Sequence, residues 1–185
     1  RSDRFYSPHY SSGSLKDYDV LLITLDTTRA DHLPVYGYKN VKTPSLDRFA
    51  EKSFIFEDAI AQVPLTLPSH TSILTGQLPI GHGVRDNEGF LVDPKATTLP
   101  STLRSKGYAT AAFVSAFVLD SRWGLNQGFD SYFDHFNQYR EVNRDEIQRK
   151  AEETESAAET WLLGRIGEHG AARPRAGVDR PAGGS

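Results

Sequence analysis

The chain has 185 residues, a length for one ordinary domain, of which 38% are hydrophobic and 24% charged. A net charge of −3 gives no electrostatic basis for nucleic acid or an anionic membrane as the main partner. The absence of cysteine excludes disulfides and thiolate metal sites. Without methionine, Arg1 is not an initiator, so the chain is read as processed, trimmed or a fragment. No stretch reaches the roughly 18 apolar residues that span a bilayer. Membrane anchoring by a segment upstream of residue 1 stays open.

In chain order, Arg1 to Lys16 is polar, rich in Ser and Tyr, and aperiodic, which reads as a flexible lead-in over residues 1–18. Val20 to Leu25 is apolar on both faces and too short for a helix, which predicts a buried parallel strand. Thr43 then Pro44 predicts a helix to about Lys52, with Leu46, Phe49 and Ala50 inward. Phe54 to Ala59 reads as a short strand. Pro64 to Leu67 reads as a loop, Pro68 as the start of a helix, and Gly76 as its C-terminal cap.

Gln77 to Pro94 is punctuated by Gly and Pro and reads as loop. Thr98 caps a helix from Leu99 to Lys106 that Gly107 stops, and Tyr108 to Val114 is a second strand. Asn143 to about Leu163 reads as a long amphipathic helix, with Ile147, Ala151, Ala158, Trp161 and Leu162 at helical spacing. Residues 164–185 are dominated by Gly, Ala, Arg and Pro, which predicts a disordered tail. Alternating strands and helices with short links predict an α/β fold with a mostly parallel sheet flanked by helices.

Two points carry chemistry. Asp26 ends the first apolar run, where open α/β sheets place ligands, and its carboxylate suits a hard cation. Thr66 follows forty residues later, two positions before the proline that can open the next helix. A carboxylate at a strand end and a hydroxyl at a helix start can meet around one metal ion, and metal coordination would activate the hydroxyl. Each alone has an ordinary structural reading: Asp26 as a turn cap, Thr66 as a loop residue before a proline. Asn87 is a turn residue by type, with an amide that suits charge building on a phosphoryl oxygen. Ser69 reads as a helix cap, and His32 and His82 as structural loop histidines.

These stretches resemble the sulfatase family within the alkaline phosphatase superfamily. The likeness rests on Asp26-Thr27-Thr28-Arg29-Ala30-Asp31-His32, Thr43-Pro44-Ser45-Leu46-Asp47 and Thr66 to Gly76. His82-Gly83-Val84-Arg85-Asp86-Asn87 and Gly128-Phe129-Asp130 follow in order. The resemblance implies the alkaline-phosphatase/sulfatase fold over residues 19–163 and a divalent metal (Ca, Mg, Mn or Zn) held by Asp26 and Thr66. It also implies a small-molecule phosphate or sulfate ester as substrate and an extracytoplasmic or membrane-associated setting. An Asn at the position of Asn87 holds a substrate oxygen in related enzymes, and Arg29 with Asp31 shapes the loop as an ion pair.

In that family the nucleophile sits in a Cys-x-Pro-Ser-Arg motif and becomes formylglycine. Here the positions read Thr66-Leu67-Pro68-Ser69-His70, so the relevant comparison is a direct threonine nucleophile. Branches with threonine, such as nucleotide pyrophosphatase-like and phosphoethanolamine transferase-like enzymes, act on phosphate esters. His70 stands where the family has an arginine that orients the nucleophile, and lacks its bidentate fork. The family's Lys-x-His after the strand near residue 110 is missing from Phe113-Val114-Ser115-Ala116-Phe117. The expectation is a metal-dependent hydrolase or transferase with Thr66 as nucleophile and His70 in its site. The alternative is a non-catalytic or truncated domain of the same fold. Asp26 and Thr66 alone cannot close a metal site, so the 185-residue chain by itself is expected to be inactive.

Overall fold

A computed structural model describes residue 13 and residues 18–136 and 148–169. The rest of the expected lead-in, the start of the last helix at 143–147 and the tail from 170 lie outside the described residues. The chain divides into two compact units, Arg1–Asp58 and Ala59–Ser185.

In the first unit, two 3-10 turns, Ala30–His32 and Pro34–Tyr36, precede helix α1, Pro44–Ala50. Pro44 opens α1 because its missing N–H falls where a helix has no partner for one. Thr43 takes the N-cap position, but its hydroxyl donates to the Asp47 carboxylate (3.0 Å) rather than accepting a backbone N–H. Leu46 and Ala50 are half-buried as expected, whereas Phe49 is exposed.

Two expected strands are absent from this unit. Val20 to Leu25 forms no strand, and its large apolar residues are 52–75% exposed. Phe54 to Ala59 forms none either. A strand apolar on both faces needs neighbouring strands for its hydrogen bonds and layers above and below for its side chains. Among the described residues the other elements of the unit are two single turns and a seven-residue helix, which offer neither.

The second unit holds α2 (Thr66–Thr75), α3 (Pro79–His82), α4 (Leu99–Ser105), β1 (Ala111–Phe113), β2 (Ser131–Phe133) and α5 (Ala151–His169). The strands pair in parallel, with Ala111 opposite Ser131, Ala112 opposite Tyr132 and Phe113 opposite Phe133. The fold is therefore α/β, a parallel sheet flanked by helices. The segment read as loop from Gln77 contains α3, because Pro79 and Gly83 supply a helix start and a left-handed stop around one turn. Leu67, Val84, Val92, Val118, Leu119 and Leu125 form the core. Leu67 and Val84 are fully buried, each worth about 1.5–3 kcal/mol of transfer free energy.

Helix α4 begins as its sequence dictates. The Thr98 hydroxyl accepts the Ser101 N–H (3.2 Å), and the Ser101 hydroxyl accepts the Thr98 N–H (2.9 Å). Thr98 also donates to the Gln127 carbonyl (3.0 Å), tying the helix start to the loop before β2. Thr98→Ala removes both bonds at a buried position. We expect a loss of about 1–2 kcal/mol, read as a lower urea midpoint.

The Gly128-Phe129-Asp130 stretch is a clasp. One Asp130 oxygen accepts the Thr110 N–H (3.0 Å) and the other pairs with Arg104 of α4 (2.8 Å). The Thr110 N–H bond, then its hydroxyl and Arg104, hold the carboxyl below the usual range against the opposing effect of burial.

Ahead of α5, Gln148 bridges to Ala116, and Arg149 donates to the Val114 carbonyl (3.0 Å) and to the His135 carbonyl. Its guanidinium lies 4.2 Å from the Phe133 ring centre. Thr154, Ala157, Ala158, Trp161 and Arg165 then face inward at helical spacing, while Ala151 and Leu162 are exposed. The helix runs past the expected end at Leu163 to His169, because a lone Gly164 weakens a helix without stopping it.

Candidate functional site at the start of α2

Thr66 is the first residue of α2, two positions earlier than the sequence pattern placed the helix start. Pro68 sits third rather than first, and a proline in the first turn removes no intrahelical bond. Leu65 occupies the N-cap position and offers no side-chain cap, and Ser69 does not act as one. That work is done from elsewhere: the Asn87 side-chain oxygen accepts the Leu67 N–H at 2.9 Å. His70, one turn on, donates from Nδ1 to the Thr66 carbonyl at 2.8 Å. A carbonyl can only accept, so Nδ1 carries the proton and Nε2 is the basic nitrogen of the neutral ring.

Three residues singled out in the sequence thus converge on one helical turn. Thr66, His70 and Asn87 are all half-buried there, above the fully buried Leu67 and Pro68. The helix dipole makes this end favourable for anionic charge. Asn87→Ala removes the acceptor of the Leu67 N–H and should cost about 1 kcal/mol of stability. Asn87→Asp keeps an acceptor and adds a charge the dipole favours, so its urea midpoint should stay near the parent value.

Asp26 belongs to the other unit, at the turn that ends the Val20 to Leu25 run. Its Oδ1 accepts the Thr27 N–H at 2.9 Å. Thr27 has φ +55, a left-handed conformation that a β-branched residue adopts only under strain. Past this turn the Arg29 guanidinium grips both oxygens of Asp31 (2.9 and 2.6 Å), and His32 adds a third contact (3.0 Å). The Arg29 bond, with His32, holds the Asp31 carboxyl well below the usual range. The expected loop-shaping ion pair is present, exposed to solvent.

Asp26 and Thr66 offer hard oxygen donors of the kind divalent cations take. Yet among the described residues no three or more His, Cys, Asp or Glu side chains stand together as a metal site would require. The described residues therefore do not make a complete metal centre, and no chemical step is derived through one.

Sequence pattern gave no sign of the partner of His82. Its Nε2 lies 2.9 Å from the Ser72 hydroxyl of α2, and the Val84 N–H donates to its Nδ1 at 3.2 Å.

The parallel strands and flanking helices define a class, α/β folds with a parallel sheet, here with a hydroxyl residue opening α2. Residues 18–165 match the family model named Sulfatase, and the chain belongs to the sulfatase family. It is similar to the N-acetylgalactosamine-6-sulfatase of Sus scrofa, 32% identical over 148 residues that cover 69% of this chain and 28% of that protein. The human protein of the same name is 29% identical over 156 residues, covering 74% and 30%. An arylsulfatase of Clostridium perfringens is 33% identical over 104 residues, covering 56% and 22%. The chain spans less than a third of the length of each of these relatives.

Proposed function

We propose that the protein is a sulfatase-like ester hydrolase or transferase in which Thr66 attacks a phosphate ester directly. The observation that carries this reading is the convergence of Thr66, His70 and Asn87 on the first turn of α2. In the proposed reaction the Thr66 oxygen forms a bond to phosphorus and its proton passes to water. The phosphorus–oxygen bond to the leaving alcohol breaks, and that alcohol departs with a proton from solvent. Water or an acceptor alcohol then displaces Thr66 and regenerates the hydroxyl. The helix N-terminus favours the charge on the phosphoryl oxygens, and the Asn87 amide N–H group is suited to hold one of them. His70 acts by fixing the Thr66 peptide. The divalent cation that the resemblance implies (Ca, Mg, Mn or Zn) would take hard oxygen donors, the type that the Asp26 carboxylate and the Thr66 hydroxyl each supply.

Sulfate esters, the substrates named for the relatives, are the second substrate class. A formylglycine hydrate releases sulfate by collapsing to an aldehyde, a route threonine does not have. The two classes separate in one experiment. The test uses this segment within a chain of the relatives' full length, since the 185 residues alone are expected to be inactive. That protein is incubated with 4-nitrophenyl phosphate or 4-nitrophenyl sulfate and each cation in turn, quenched in acid and digested, and the peptide bearing Thr66 is weighed. Phosphate on Thr66 is the expected result. An unlabelled Thr66, with nitrophenol release equal in Thr66→Ala, would overturn the proposal.

One observation favours a rival reading, a non-catalytic domain of the same fold. The Asn87 oxygen already serves the helix backbone, and His70 does likewise, so the turn can be explained as architecture alone. On that reading neither ester labels the protein.

A further inference from the structure

The Ser72–His82 pair has the spacing of a nucleophile and its base, at 2.9 Å. The rest of the ring rules that role out. The Val84 N–H donates to Nδ1, so the lone pair is there and the neutral ring carries its proton on Nε2. Nε2–H then donates to Ser72 and cannot take the serine proton. What remains is a clasp: one imidazole joins buried Ser72 of α2 to the backbone beside Val84, a fully buried core residue.

We propose that His82 is an acid-sensitive clasp that holds the α3 loop, which leads to Asn87, onto the helix that carries Thr66, and that protonation of Nδ1 opens it. The argument is steric and electrostatic. A protonated Nδ1 would point a second N–H at the Val84 N–H, leaving that donor unsatisfied next to the core. The Ser72 bond survives protonation, so the break falls on the Val84 side and loosens residues 83–87 rather than α2. Among the described residues, the hydrogen-bond partners of the ring are the Ser72 hydroxyl from α2 and the Val84 N–H from its own loop. The other imidazole of α2, His70, is bonded to the Thr66 carbonyl.

Burial lowers the His82 pKa from the ordinary value near 6.5, and no charged group among the described residues contributes to the shift. A depressed histidine pKa means that the unfolded chain takes up the proton first. The clasp therefore contributes in full above about pH 6.5 and is lost as pH falls through the lower folded value. The inference does not depend on Thr66 being a nucleophile.

The test uses the whole chain and no ligand. Long-range nitrogen–proton NMR of the His82 ring at pH 7.5 should show a proton on Nε2 and none on Nδ1. Hydrogen exchange of the Val84 amide, corrected for the intrinsic rate at each pH, should lose about tenfold protection between pH 7.5 and 5, while amides of α2 keep theirs. In His82→Asn the side-chain oxygen can accept the Val84 N–H without titrating, so that loss should disappear. A proton on Nδ1 at pH 7.5 would overturn the proposal on the parent protein alone, whether or not the variant folds. So would Val84 protection that stays constant while the ring titrates, or a loss that persists in His82→Asn.

Discussion

Gly128→Ala should be among the most destabilising single-methyl additions in the second unit, lowering stability by about 2–5 kcal/mol. Two independent terms add at this position. Gly128 has φ +87, a conformation that costs an L-residue about 1–2 kcal/mol. A Cβ there would also lie 2.2 Å from the Ser101 nitrogen and 2.5 Å from its Cα, both backbone atoms in the first turn of α4. No rotamer change relieves a clash with backbone, so α4 must shift, and overpacking of this kind costs about 1–3 kcal/mol. The shift would strain the Thr98–Gln127 bond and the Arg104–Asp130 pair together. Gly107→Ala is the control: its φ is +86, but a Cβ there meets nothing within 4 Å. It should lose only the conformational term, about 1–2 kcal/mol. Urea midpoints of the two variants decide the matter, because equal losses would remove the close approach of α4 from the account.

The same residues show which parts of the fold are legible locally. Thr98, Pro100 and Gly107 bracket α4, and the helix forms between them, because caps and stops are contacts within a few residues. The strand at Ala111–Phe113 falls inside the apolar run that predicted it. Val20 to Leu25 has a stronger apolar signal and forms no strand. Apolar character says that a segment gains from cover; whether a neighbouring strand is there to pair with is a non-local matter that no window of sequence contains. Phe49 failed for the same reason: its helical spacing gave it a face, and among the described residues no packed layer meets that face. Pro68 was misplaced by two residues because proline is tolerated anywhere in a first turn, so the residue marks that turn without marking its first position.

The candidate site divides along the same line. Thr66 and Asp26 were legible as candidates, by residue type beside recognisable punctuation. The Asn87 contact with the Leu67 N–H spans twenty residues of loop and was readable only as a resemblance in spacing. Its observed role changes the meaning of the motif. The side-chain oxygen supplies the cap that Leu65 cannot, and this permits a hydroxyl residue without its own cap to stand first in the helix. His82 was read as a structural histidine, and its bonds agree; its tautomer follows only from which neighbour donates and which accepts.

Within a chain of the relatives' full length, Thr66→Ala should abolish covalent capture of phosphate and lower metal-stimulated 4-nitrophenyl phosphate turnover by on the order of a thousandfold or more, as removal of a nucleophile does elsewhere. Stability should change little, because alanine is a good helix former and the Asn87 and His70 bonds go to backbone atoms that the substitution leaves in place. Thr66→Ser keeps the hydroxyl without the methyl and should retain turnover within about tenfold, with the label moved to the serine. This pair of variants separates chemistry from architecture. A structural Thr66 predicts that any effect on turnover follows the urea midpoint and that Ser and Ala behave alike. A nucleophilic Thr66 predicts a large gap between Ser and Ala at equal midpoints. Replacing His70 by Ala adds a third arm: it removes the imidazole bond to the Thr66 carbonyl without touching the hydroxyl, so turnover should fall while the label, where it forms, still lies on Thr66. Equal turnover in Thr66→Ala and the parent would leave the converging side chains of α2 as a capping device and make the non-catalytic reading the better one.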